Sequence, residues 1–350
     1  MEAPNSVTKP GEKEKLSLKE SIDFERAISY YLHEKEHQTH LRDPNNRKKL
    51  EEAMNAVYSR KNTLISIDVE AWERDSKCVT EIGIAIYDPK KQMRALLPAV
   101  TSIHILLRDN ISRKNGRFVP DHSENFNGEY SYILSEAEAV KLVKNLVNYY
   151  MHDHELDCYL VGHDIRGDLN WLEGLGVVIS KDTKILDTQK IYAASHGKRG
   201  GSLKNALRMA CIPHAFLHNA GNDAYYTILL ALALCDPVRR ELSKLDHSLI
   251  EKSSIYANDI PKQEGIGEKN DERENKHKHS IPEAPRDREK TLLQEPQNNG
   301  SINPDVICSS PTRNLKFKKI SRRKKMKHTH NHSENLEVKD VDQLLSQLIR

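Results

Sequence analysis

Three acidic signatures lie along the chain where distant carboxylates could be gathered: Asp68-Val69-Glu70, then Gly162 to Leu169 (GHDIRGDL), then His218 to Ala224 (HNAGNDA). In an extended strand side chains alternate, so Asp68 and Glu70 leave the backbone on one side and can offer oxygens to a single hard divalent cation. Buried with neither solvent nor cation, such a pair would be costly. The D-x-E spacing alone is cheap, since it recurs at Asp23/Glu25, Asp153/Glu155 and Asp287/Glu289, none of which follows an apolar strand.

Asp168 is the acid best placed to face this pair, although Asp164 or Asp168 could equally serve as a helix cap, and His163 as a structural hydrogen-bonding group. Asp223 would complete a carboxylate cluster, and His218, on the approach to the last apolar helix, could accept a proton from water. The plainer alternative is a loop histidine followed by an aspartate favoured by the helix dipole. H-x4-D spacing also occurs at His104/Asp109, His152/Asp157 and His163/Asp168. Four carboxylates without thiolate or imidazole ligands suit Mg²⁺ or Mn²⁺, and two such ions about 3.5 to 4 Å apart would stabilise the attacking and leaving oxygens of an in-line displacement.

The elements that must position these residues are legible as apolar runs. Leu64 to Ile67, Ile82 to Tyr87 and Ile103 to Leu107 predict three strands in succession. A helix should follow from the Ser135/Glu138 capping box, with Val140, Val143, Val147 and Tyr150 on one face. Strand and helix then alternate: Tyr159 to Val161, Leu169 to Leu175, Lys184 to Leu186, Ser202 to Cys211, and Asn222 to Leu234. A meander feeding β-α-β-α units implies a mixed five-stranded sheet, its first three strands antiparallel, with helices on its faces. This is the order of the ribonuclease H-like α/β fold.

Order and context together make the signatures specific. D-x-E on the first strand, G-H-x4-D-L after the fourth and H-x4-D-A at the last helix resemble the DEDDh 3′-to-5′ exonucleases of the DnaQ-like group, across about 63–236. Thr80-Glu81-Ile82-Gly83, Leu186-Asp187-Thr188 and Gly201 to Leu207 resemble supporting motifs of that family. GHDIRGDLNWL is similar to its RNA-directed members, and the long tailed form resembles a fungal branch that includes proteins linked to DEAD-box helicase activity in mRNA export. The resemblance implies that Asp68, Glu70, Asp168 and Asp223 are metal ligands and that His218 is the general base. It also implies cleavage from a 3′ end of single-stranded RNA or DNA, with RNA favoured. Val69, Ala71, Trp72 and His163 would line the strand. Ala71 replaces a frequent threonine and Gly167 a frequent aromatic residue, and Trp72 could supply stacking surface in their place or be a packed surface residue.

The 350 residues carry 54 Lys+Arg against 51 Asp+Glu. The run from Lys316 to Lys327 holds Lys316, Lys318, Lys319, Arg322, Arg323, Lys324, Lys325 and Lys327 without one acid, more than accounting for the net +3. Such a run reads as a phosphate-binding arm, a nuclear-localisation signal or a solvated tail. Five scattered cysteines with no CxxC argue against a disulfide framework or zinc ribbon. No leader or membrane segment is visible, the longest apolar run being Ile228 to Cys235, so a soluble protein of nucleus or cytoplasm is expected. The domain reading is a helical N-terminal extension over 1–60, the exonuclease-like domain over 61–240, a disordered basic linker over 241–335, and a short helix over 336–350. The last would be a partner-binding helix, for an RNA helicase for instance, or a frayed tail. His277/His279 and His328/His330/His332 are weak candidates for zinc or copper. Competing functions are a catalytically silent RNA- or helicase-binding adaptor and an internally cutting ribonuclease H. A protease is not supported, because no Ser or Cys stands in a nucleophile setting.

Overall fold

The computed structural model describes residues 23–34, 40–92, 97–197, 201–246 and 334–349. Ser17 and Glu20, which have the spacing of a helix capping box, the Lys316 to Lys327 run and both histidine clusters lie outside them. The five expected strands are present: β1 (Thr63–Trp72), β2 (Asp75–Tyr87), β3 (Val100–Leu107), β5 (Cys158–Gly162) and β6 (Ile185–Asp187). Two more, β4 (Tyr130–Leu134) and β7 (Glu334–Glu337), extend one edge, giving the order β6-β5-β1-β2-β3-β4-β7. β1, β2 and β3 pair antiparallel, and β5, β6, β4 and β7 add parallel. This is the mixed, helix-flanked ribonuclease H-like sheet.

Two cores form because the sheet strands bury side chains on both faces. On one face lie α1 (Pro44–Val57), α4 (Thr188–His196), α5 (Leu203–Met209) and α6 (Ala220–Leu234), whose Leu50, Met54, Ile191, Leu207, Ile228 and Leu234 pack together. Asp43 caps α1 and Pro44 opens it. Leu50 and Met54 are completely buried, so this N-terminal helical segment is part of the core. It is held further by a buried charge cluster in which Asp246 accepts from Arg240 and from the Tyr31 hydroxyl.

On the other face lie α2 (Glu136–Asn148), α3 (Arg166–Gly174) and α7 (Val341–Leu348). The Ser135/Glu138 capping box forms as expected. The buried stripe of α2 is Ala139, Leu142, Val143 and Leu146, leaving Val140 and Val147 at its partly covered margin. The C-terminal segment docks on the chain's own sheet. β7 pairs with β4 from Tyr130↔Glu334 to Ile133↔Glu337, Val341 and Leu344 are buried, and Lys141 and Arg108 pair with Asp342 and Glu337 at 2.7 Å each.

Candidate active site

β1 delivers Asp68 and Glu70 on one face of the sheet, and the β1–β2 register shifts immediately after Glu70, a bulge that re-aims Ala71 and Trp72. α6 crosses this face at Gly83. A Cβ there would stand 1.8 Å from the Ala220 carbonyl oxygen, so glycine is required for the helix start to lie on the sheet. The approach to α6 is sharply bent, with Phe216 and His218 in left-handed backbone (φ 53° and 68°). Asn219 then caps the helix by accepting the Asn222 N–H at 3.0 Å. This geometry puts Asp223 in the first turn beside β1, where its Oδ2 accepts the His218 N–H at 3.0 Å.

Asp168 arrives on the first turn of α3, and its Oδ1 accepts the Val69 N–H at 3.0 Å, so the second acid is tied to the strand that carries the first pair. α3 is fixed again by Trp171, whose indole donates to the Ser76 carbonyl at 2.6 Å. Asp187 holds the preceding turn by accepting the N–H of Asp164, another left-handed residue (φ 61°), at 3.1 Å.

The four acids crowd one another. Burial and the charges of Asp223, Asp168, Glu70 and Glu81 hold the Asp68 carboxyl well above its usual range, and burial, Glu81, Asp223 and Asp168 do the same to Glu70. Burial pushes Asp168 and Asp223 up to about 7, against the lowering effect of the amides they accept from. Asp223 Oδ1 is buried and has no hydrogen-bond partner. Glu70, Asp223 and His218 each present an atom within 4.8 Å of the other two, and His218 Nδ1 stands 3.9 Å from Glu70 Oε1. Asp68 and Asp168 are electrostatically joined to this group but stand outside the 4.8 Å set. His218 is half-exposed, and burial together with His122 and Lys204 lowers its pKa, which favours the neutral imidazole at neutral pH. A buried oxygen without a donor among mutually repelling carboxylates fits a hard divalent cation.

Two of the residues expected to line the strand have structural roles. His163 uses both ring nitrogens internally, Nδ1 with Thr188 Oγ1 at 2.9 Å and Nε2 with the Gly201 carbonyl, so it joins β5 to α4, the structural hydrogen-bonding alternative. Val69 points its side chain into the core and spends its N–H on Asp168. Ala71 and Trp72 remain partly exposed at the end of β1.

Glu81 stands in the sequence only as part of a supporting motif and His104 only as a spacing, yet the two hold the site. Glu81 Oε2 accepts the Ala220 N–H at 3.2 Å and pairs with His104 Nε2 at 2.8 Å, and His104 Nδ1 meets Ser131 Oγ at 2.8 Å. This buried chain across β2, β3 and β4 fixes the start of α6 and therefore Asp223.

A family model described as DNA polymerase III subunit epsilon-like, C-terminal domain (DEDDh_C), matches residues 63–234, the span that carries all five candidate site residues. The chain belongs to the DEDDh exonuclease family. It is 41% identical over 202 residues to the uncharacterized protein YDR514C of Saccharomyces cerevisiae, covering 51% of this chain and 42% of that one. It is 35% identical over 226 residues to "Good for full DBP5 activity protein 2" of the same yeast, covering 57% and 40%. The uncharacterized nucleolar protein C2C4.08 of Schizosaccharomyces pombe is 30% identical over 183 residues, covering 50% of this chain and 70% of that protein. The match therefore spans about two fifths of the two budding-yeast relatives' length. Among solved structures, E. coli exonuclease I bound to single-stranded DNA aligns at 14% identity over 56% of this chain and 45% of its own (TM-score 0.33). The Saccharomyces cerevisiae Pan2 exonuclease module with A7 RNA aligns at 15% over 57% and 33% (TM-score 0.33). Among the described residues no helix is long and apolar enough to cross a membrane.

Proposed function

We propose that this DEDDh member is a divalent-metal-dependent 3′-to-5′ exonuclease acting on single-stranded nucleic acid, RNA preferred. The observation that carries the reading is the mutual electrostatic crowding of Asp68, Glu70, Asp168 and Asp223, brought from three distant segments, together with the buried, unpartnered Asp223 oxygen and a neutral-favouring histidine at the exposed edge. The four carboxylates are assigned to two ions, Mg²⁺ or Mn²⁺, which when bound would relieve the mutual repulsion and polarise a phosphodiester and its attacking water. Half-exposed and lying beside Glu70, His218 is placed to take the proton of that water. The Asp168–Val69 hydrogen bond holds the second acid against the first strand, so neither must reorganise when a strand end enters.

The test is hydrolysis of single-stranded RNA in Mn²⁺, comparing a free with a blocked 3′ end. Asp68→Ala should abolish turnover while leaving the circular-dichroism spectrum of the protein intact, and a blocked 3′ end should prevent cutting. Turnover unchanged in Asp68→Ala rejects the assignment, and cutting of blocked strands makes the protein an endonuclease. A silent adaptor is the second reading, supported by the DBP5 activity named in one relative. It predicts RNA or helicase binding with no Mn²⁺-dependent hydrolysis. The Lys316 to Lys327 run is proposed as an additional phosphate-binding arm and nuclear-localisation signal, which would place the protein in nucleus or cytoplasm according to its use.

A further inference from the structure

Beyond the acid cluster, the end of β1 carries an aromatic and basic surface that the chemistry at Asp68 and Asp223 leaves unused. Arg113 and Arg74 place their guanidinium carbons 5.1 and 5.8 Å from the Trp72 ring centroid, and Arg117 stands 5.0 Å from that of Phe118. All three arginines are exposed, Phe118 is 71% exposed, and none of the three forms an ion pair within the described residues. An exposed phenylalanine capped by a free guanidinium gains little for the fold itself, since the ring stays in water.

The surface is also held rigid. The Glu73 carboxylate accepts the N–H groups of Arg117, Phe118 and Val119 at 2.8 to 3.2 Å. Asn115 ties the same loop to β1 from the other side, accepting the Glu73 N–H at 2.8 Å and donating to the Ala71 carbonyl at 3.2 Å. Glu73 is thereby consumed as an internal clamp, its carboxyl held below the usual range by the amides it accepts, and the arginines keep their charge available.

We propose that Trp72, Arg74, Arg113, Arg117 and Phe118 form a binding platform for single-stranded RNA, seating the part of the strand upstream of the terminal phosphodiester. Rings give base faces a stacking surface, and guanidinium groups beside them match the phosphates that alternate with the bases. The platform begins two residues after Glu70, so a strand whose end lies at the carboxylates continues directly onto it. The proposal rests on the reading that the acid cluster takes a phosphodiester. That continuity, with the alternation of rings and cations, favours a nucleic-acid strand over an acidic peptide.

The test is a titration of the full-length protein with a 12-nucleotide single-stranded RNA in EDTA, following tryptophan emission and fluorescence anisotropy together, so that binding is read without hydrolysis. Trp72 and Trp171 are the only tryptophans. The RNA should quench emission, and Trp72→Phe should remove the quench while holding affinity within about twofold, because a phenyl ring still stacks. Arg113→Glu combined with Arg117→Glu, both at exposed positions, should weaken binding about tenfold or more and reduce the slope of log affinity against log salt by about 1.4, the value for two phosphate contacts. A quench that persists in Trp72→Phe, or affinity and salt slope unchanged in the arginine pair, overturns the platform and leaves the nuclease reading standing. RNA bound through these arginines but never hydrolysed in Mn²⁺ supports the platform and overturns the nuclease reading. Displacement of the RNA by poly-glutamate more readily than by a competing oligonucleotide would assign the surface to an acidic protein partner and overturn the proposal.

Discussion

Replacing Asp223 by asparagine isolates the electrostatic cost of gathering four acids in one place. Burial pushes this carboxyl from 3.8 up to about 7, and its Oδ1 has no donor. A carboxyl that holds its proton more tightly folded than unfolded stabilises the native state fully below pH 4, and that contribution is lost as pH rises from about 4 to about 7. At 1.36 kcal/mol per pH unit the cost of the ionised group at pH 8 is at most about 4 kcal/mol. Part of the repulsion survives among Asp68, Glu70 and Asp168, so the single substitution should recover about 2 kcal/mol, or about 4 to 8 °C in Tm for a domain of this size. Asparagine keeps an oxygen for the His218 N–H, so the local hydrogen bond need not be lost. The assay is thermal unfolding in EDTA and in Mn²⁺ at pH 5 and pH 8. In EDTA the variant should exceed the wild type at pH 8, and by a clearly smaller margin at pH 5, where the wild-type carboxyl is still protonated in the fold. In Mn²⁺ at pH 8 the ranking should reverse, because the cation stabilises whichever chain binds it. A variant less stable than the wild type in EDTA at both pH values would refute the claim that these carboxylates are strained together.

Gly83→Ala should destabilise the protein by about 3 kcal/mol and abolish hydrolysis, because its Cβ would drive the Ala220 carbonyl and the start of α6 away from the sheet; chemical denaturation reads the first effect. Glu81→Ala leaves the Ala220 N–H and His104 buried without their acceptor and should cost about 2 to 4 kcal/mol in the same experiment. Removing 334–350 should lower Tm by exposing the edge of β4 and the face of α2 that Val341 and Leu344 cover. The arm at Lys316 to Lys327 is therefore better tested by neutralising its charges in place, which should weaken RNA binding with Tm unchanged.

Most of the sheet was legible because β-branched runs with two-residue alternation are a local signal, and Leu64 to Ile67 or Ile103 to Leu107 carry it in their own composition. β4 and β7 were not. Tyr-Ser-Tyr-Ile-Leu follows a long polar loop, and Glu-Asn-Leu-Glu is exposed at every position, so its pairing with β4 depends on a partner about 200 residues away. The acid signatures were legible for a related reason: each combines a residue pattern with a recognisable element end, and their joint order is far less frequent than any one spacing. What the pattern concealed is the support beneath them. Glu81 lies on a strand that reads as apolar from Ile82 onward, and nothing adjacent in sequence announces that its carboxylate will meet His104 on the next strand and the amide of Ala220 on a helix 139 residues later. His163 is the opposite case, a histidine in a motif whose ring nitrogens are engaged by Thr188 and Gly201. A local pattern can nominate groups that do chemistry, because their identity is fixed by the reaction. It cannot nominate the groups that hold them, because any donor or acceptor at the right place will serve, and that place exists only after the sheet register and the seat of α6 on Gly83 have been set.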